Sequence, residues 1–122
     1  MEALSIVLQI TVGLGLLNVW LIRHSKQTAY RGAGSTTIKE EFKVYGLPSW
    51  AWLVVGGLKV IIAILLLTGI FYPSLRLIPA AVLCVLMLGA VSCHIKVKDT
   101  LKKTMPASAM LGMSLLILLL NI

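Results

Sequence analysis

The chain has 122 residues, of which 59% are hydrophobic and 12% are charged. Soluble domains carry roughly 45 to 50% apolar and about 25% charged residues, so this composition excludes an ordinary soluble protein and indicates an integral membrane protein. The net charge of +7 would suit a nucleic-acid-binding protein. However, ten of the eleven basic residues lie between the apolar runs, without an RNA- or DNA-binding motif. We therefore expect contact with a lipid bilayer and no nucleic acid partner.

Four apolar runs are long enough to cross a bilayer as helices, since about 20 residues span its hydrocarbon core. We predict an all-α fold, an integral membrane four-helix transmembrane bundle that forms one domain over residues 1–122. The predicted helices lie at about 3–22, 48–71, 77–95 and 105–122. The first run has no basic segment before it and no small-residue cleavage site after it, so we expect it to stay as a helix rather than leave as a signal peptide.

Lys59 lies at the middle of the second apolar run. A charge at the bilayer midplane costs about 2.5 to 3.5 kcal/mol and marks either a functional group or a buried structural partner. Gly56 and Ala63 share its helix face, so the lysine should point into the bundle. All four acidic residues lie outside the predicted spans. We therefore expect one of three situations for Lys59. It is neutral, or it forms a hydrogen bond with Gln9, Asn18, a backbone carbonyl or water, or it pairs with an acidic residue of another subunit.

Residues 36–45, in the connection between the first two spans, form a predicted short amphipathic segment. Its apolar residues recur at i, i+4 and i+7 and are Ile38, Phe42 and Tyr45. Thr37 and Glu40 fit a capping box, and Glu40 and Glu41 occupy a first turn where negative charge is favourable. We expect this segment to lie at the headgroup level or under the bundle, with the two glutamates as candidate interface residues.

His94 lies where the third predicted helix leaves the membrane, and Asp99 lies in the connection that follows. We regard both as further candidates at the interface. A metal cluster of His24, Cys93 and His94 is geometrically possible. A metal site needs three or four convergent ligands at suitable spacing, so we interpret His94 as an interfacial histidine and predict no metal site.

Basic residues are distributed unequally between the two sides of the predicted bundle. The two long connections carry nine of them, and the opposite side carries Arg76. Basic loops stay on the cytoplasmic side. We therefore expect a multi-pass protein with both termini outside and both basic connections in the cytoplasm.

Three stretches, EEFKVYGLPSW, VGGLKVIIAILLLTG and HIKVKDTLKKTMPA, resemble the DoxX-like family of small four-helix membrane proteins, over residues from about Thr36 to Ala107. The resemblance implies a four-helix fold. It also implies a link to oxidoreductase complexes, where members act as accessory membrane subunits, or to assembly and trafficking. Lys59 stands where many members carry a glutamate, a difference that weighs against a proton-carrying or quinone-linked role.

The sequence contains no nucleotide-binding loop, no metalloprotease or hydrolase motif and no carboxylate pair within the membrane, which favours a non-enzymatic protein. Our first hypothesis is an accessory or assembly subunit of a larger membrane complex, possible partners being another membrane protein or further copies of the chain. A second hypothesis is an oligomeric carrier or channel for ions or small solutes that uses Lys59. A third is a quinone-linked component of a membrane oxidoreductase. No cofactor is indicated by any motif.

Overall fold

The computed structural model describes residues 2–22, 37–48 and 50–122. About 85% of these residues are helical, and no strand occurs among them. The all-α prediction is therefore confirmed for the described part of the chain.

Five α-helices follow one another in the described ranges. They are α1 (Glu2–Leu17), extended by a π-helical turn (Asn18–Ile22), α2 (Ile38–Val44), α3 (Ala51–Thr68), α4 (Leu77–Lys96) and α5 (Leu101–Asn121), with a 3-10 turn (Pro73–Leu75) before α4. The four long helices, α1, α3, α4 and α5, are long and apolar enough to cross a membrane. This confirms the predicted membrane bundle.

The four long helices form a ring. α1 packs against α3 and α5, and α4 packs against α3 and α5, so the order around the bundle is α1, α3, α4, α5. The core is apolar and includes Val12, Leu16, Ile62, Leu66, Leu83 and Ile117. Only 17% to 39% of the residues in each span are buried inside the protein. The remaining apolar surface faces outward, as the surface of a membrane protein does toward lipid.

Three helix boundaries differ by three or more residues from those expected from hydropathy, namely the start of α5 and both ends of α3 (Ala51–Thr68). α5 begins at Leu101 rather than near residue 105, because the Thr100 hydroxyl accepts a hydrogen bond from the Lys103 amide at 3.4 Å and caps a polar first turn. Pro106 consequently lies inside the helix. α3 ends at Thr68, so Phe71 lies in the turn that follows it.

α2 has the amphipathic character that its sequence predicts. The Thr37 hydroxyl accepts a hydrogen bond from the Glu40 amide at 3.1 Å at its start. Ile38 and Tyr45 are 3% and 4% exposed, and Phe42 packs edge-on against Trp20 of the π-helical turn, with ring centroids 6.1 Å apart. α2 therefore lies under one end of the ring, which we call the α2 end.

Candidate functional site

A cavity of about 770 Å³ lies between the long helices at the α2 end. Its wall is mostly apolar, and three methionines, Met87, Met110 and Met113, line it. Methionine side chains are flexible and polarisable, so they adapt to irregular ligands. Pockets that bury small molecules usually measure about 300 to 1,000 Å³. The size and lining of the cavity therefore suit an apolar small molecule.

Lys59 lies on the wall of this cavity. Its side chain is buried, with 7% exposed, and its Nζ lies 5.1 Å from the centroid of the Trp20 ring. This is the geometry of a cation–π interaction. Gly56, one turn earlier in α3, leaves room for the ring, since a Cβ atom there would lie 2.6 Å from Trp20. The predicted inward orientation of Lys59 is thus confirmed.

Trp20 reaches this position from the π-helical turn that ends the first span. A π-helical turn holds more residues than an α-helical turn, so it changes the direction in which the following side chains point. Trp20 lies against Lys59 on one side and against Phe42 on the other. Such turns occur often at functional sites, and the Trp20 of this turn contacts both Lys59 of α3 and Phe42 of α2.

Asn18 and Gln9 occupy different environments. Asn18 lines the cavity together with Lys59. Gln9 is fully buried at another level of the bundle, where its amide nitrogen donates to the Leu66 carbonyl at 2.8 Å. Its amide oxygen accepts from the Ser5 hydroxyl at 2.8 Å. Leu66 lies about two helical turns, or ~10 Å, from Lys59. The structure therefore brings Asn18 and Lys59 to one cavity and places Gln9 in helix packing.

His94 also lines the cavity, at the end of α4. Its Nδ1 lies 2.7 Å from a carboxylate oxygen of Asp99, and its Nε2 lies 3.4 Å from the Tyr45 hydroxyl. Only 4% of the Asp99 side chain is exposed, and Lys103 Nζ lies 4.0 Å from its second oxygen. A carboxylate on one imidazole nitrogen orients the ring and directs the other nitrogen toward its partner. His94 and Asp99 are therefore in direct contact, and Tyr45 joins them.

A model of the DoxX-like family matches residues 27–118 of the chain. The chain belongs to this family. The match covers α2, α3 and α4 and most of α5, and it extends the resemblance noted from residues 36–107 at both ends. Together with the four apolar spans, it identifies a small multi-pass integral membrane protein. Searches among curated proteins and among solved structures found no match.

The two glutamates predicted for the interface of this DoxX-like protein are only partly described. Glu40 is exposed on α2, and its amide bonds Thr37. The side chain of Glu41 lies outside the described part, as does His24. Among the described residues, no group of three or more His, Cys, Asp or Glu side chains is placed to hold a metal ion.

Sequence reasoning missed Tyr45 and Trp20 as residues of the site. Tyr45 was assigned only to an apolar face, yet its hydroxyl contacts His94 and its carbonyl accepts a hydrogen bond from Lys96 Nζ at 2.8 Å. The available signal was the position of an aromatic residue with a polar group next to the Gly46 turn. Trp20 gave no local signal, since its role depends on a lysine 39 positions later in the chain.

Arg76 was predicted only as the basic residue of a turn, but the DoxX-like bundle buries it to 1% exposure at the end opposite α2. Its guanidinium donates to the carbonyls of Gly69 and Ile70 at 2.6 and 3.2 Å and to the Glu2 carboxylate at 2.7 Å. These bonds join the start of α1 to the end of α3. Polar contacts thus close this end of the bundle, whereas the α2 end contains the cavity.

Proposed function

We propose that this DoxX-like protein is a non-enzymatic accessory subunit of a membrane complex, and that it holds an apolar, membrane-dissolved molecule in the cavity under α2. The observation that carries the proposal is that Lys59 of α3 and His94 of α4 line one mostly apolar cavity of about 770 Å³. The apolar wall supplies affinity, and the few polar groups supply orientation, which is the usual division in small-molecule sites.

Lys59 gives the cavity a hydrogen-bond donor near the middle of the membrane. A carbonyl or an anionic oxygen on the bound molecule would accept from its ammonium group, and such a bond is strong where water is scarce. Asn18 adds an amide on the same wall. A bound molecule with an oxygen acceptor at one end and an apolar body therefore matches the arrangement.

The ionisable side chains around the cavity are held in place by their neighbours, which suits a preformed binding site. His94 contacts Asp99 and Tyr45, and Lys59 lies against Trp20. Each group is thus oriented by the fold. An accessory subunit needs only to hold and present a molecule. The contacts of His94 and Lys59 preorganise the site for that purpose.

The test is to purify the protein from native membranes in mild detergent and to identify accompanying small molecules and polypeptides by mass spectrometry. The variants are Lys59→Met and, as the matched control, Lys102→Met, which removes an exposed lysine. We expect a bound molecule and partner polypeptides with the wild type. We expect the bound molecule to fall about tenfold in Lys59→Met, the effect of one charge-assisted hydrogen bond, and to remain in Lys102→Met.

Two results would contradict the proposal. Wild-type protein that carries neither a small molecule nor another polypeptide would refute both of its parts. Retention of the small molecule in Lys59→Met would show that Lys59 does not contribute to binding it. Flux through liposomes that requires Lys59 would instead favour a carrier or channel.

A quinone-linked component is the second candidate, and it is favoured because His94 and Tyr45 line the same cavity as Lys59 but come from other elements of the fold. A quinone has two carbonyl oxygens on opposite sides of its ring, and donors from two helices would suit them. A short-chain quinone should then quench tryptophan fluorescence saturably in the wild type and much more weakly in Lys59→Met. Equal quenching in both proteins would refute this candidate.

A further inference from the structure

α2 and the turn after it form part of the cavity wall, through Ile38, Phe42, Tyr45 and Leu47. The helix has seven residues, far fewer than an isolated helix needs to be stable in water. Its position therefore depends on its contacts with the bundle. It is connected to α3 through Gly46, whose φ of +81° is a conformation that glycine adopts readily and other residues rarely do.

The polar contacts that hold α2 converge on Tyr45, the residue next to Gly46. Lys96 Nζ donates to the Tyr45 carbonyl at 2.8 Å, and the Tyr45 hydroxyl lies 3.4 Å from His94 Nε2. Both partners come from the end of α4. The Lys96 charge also lies at the carboxyl end of α2, where the helix dipole favours a cation.

We propose that α2 is a hinged cover of the cavity, which turns about Gly46 when Lys96 and His94 release Tyr45. Opening exposes the cavity wall to water at the α2 end and provides a route by which the bound molecule enters and leaves. The identity of the molecule that enters and leaves rests on the proposed function, whereas the movement of α2 does not. A unit of seven residues that is buried along only one face opens locally at a lower free-energy cost than the whole fold.

The two cysteines provide native reporters of this opening. Cys93 lies on the cavity wall and is partly exposed even with α2 in place. Cys84 is buried, with its sulfur 3.4 Å from the Ser114 hydroxyl. In lipid nanodiscs, a water-soluble maleimide should modify Cys93 at a basal rate that rises when α2 opens, and peptide mass spectrometry measures both thiols in one sample.

Lys96→Met should raise the rate at Cys93 about fivefold, because it removes a hydrogen bond to α2 from a charged group that is itself exposed and partly screened by water. Tyr45→Phe keeps the ring and removes the hydroxyl, so it should raise the rate about threefold, as expected for a weaker neutral bond. Lys102→Met removes a lysine that is exposed on α5 and should leave the rate unchanged. Cys84 should react equally slowly in all four proteins.

Equal Cys93 rates in Lys96→Met and Lys102→Met would overturn the proposal. A parallel rise at Cys84 would also overturn it, because the whole bundle would then be loosening rather than α2 alone. The two proposals fail separately. If the Cys93 rate depends on Lys96 but the protein carries no bound molecule, the proposed ligand is refuted and the hinged cover is supported. If a bound molecule depends on Lys59 but the Cys93 rate is the same in all variants, the hinged cover is refuted.

Discussion

The Nζ atom of Lys59 lies 5.1 Å from the centroid of the Trp20 ring, although the two residues belong to different spans. The ring fits against Gly56, where a Cβ atom would lie 2.6 and 2.8 Å from two of its carbon atoms. The absence of a side chain at Gly56 therefore determines how closely the indole approaches the lysine.

Gly56→Ala should displace Trp20 and destabilise the protein by about 1 to 3 kcal/mol, the usual cost of overpacking a filled interior. Its neighbour provides a matched control, because a Cβ atom at Gly57 would meet nothing within 4 Å. Gly57→Ala should therefore be neutral or slightly stabilising, since alanine is the better helix former. Unfolding in detergent, followed by circular dichroism, measures both. Equal stability of the two variants would show that the Trp20 ring does not pack against Gly56.

Gln9→Met should weaken packing but leave the cavity intact. The substitution removes the bond to the Leu66 carbonyl, and hydrogen bonds between membrane helices contribute about 0.6 to 2 kcal/mol. The same purification and mass spectrometry used for Lys59→Met should find the bound molecule retained. Loss of that molecule in Gln9→Met, at a stability equal to the wild type, would place Gln9 in the site and contradict its structural role.

Arg76→Met should destabilise the protein by about 1.5 to 3 kcal/mol, the range for hydrogen bonds to charged groups. The substitution leaves the Gly69 and Ile70 carbonyls without the guanidinium that bonds them. Glu2→Gln should have a much smaller effect, because the Glu2 side chain is 65% exposed and water screens the pair. Detergent unfolding of the two variants side by side tests this order. An equal loss in both would show that the ion pair, rather than the carbonyl contacts, holds this end together.

Much of the architecture could be predicted from the sequence because it depends on local patterns. The apolar runs reveal the spans, and the spacing of Ile38, Phe42 and Tyr45 reveals which face of α2 is buried. Small residues beside Lys59 revealed its inward direction in the same way. Bilayer thickness and helical periodicity act on consecutive residues, so no knowledge of distant contacts is needed.

The composition of the site could be predicted only in part. His94 and Asp99 are five positions apart, and their contact follows from a local turn. Gln9 and Asn18 were equivalent candidates as hydrogen-bond partners of Lys59, but only Asn18 lines the cavity together with Lys59. Their separation depends on how α1 is rotated and on the depth of each residue along it, and a hydropathy pattern does not report rotation relative to neighbours.

The sequence by itself therefore determined the class, the four spans, the amphipathic α2 and the family. Tertiary structure alone decided that Trp20 packs against Lys59, that the Tyr45 hydroxyl contacts His94 and that Arg76 donates a hydrogen bond to Glu2. The last pair lies 74 positions apart. The physical reason is that hydropathy and helical period are properties of neighbouring residues, whereas a site between helices depends on which faces pack together. That packing is set by steric fit and hydrogen bonding among residues distant in the chain.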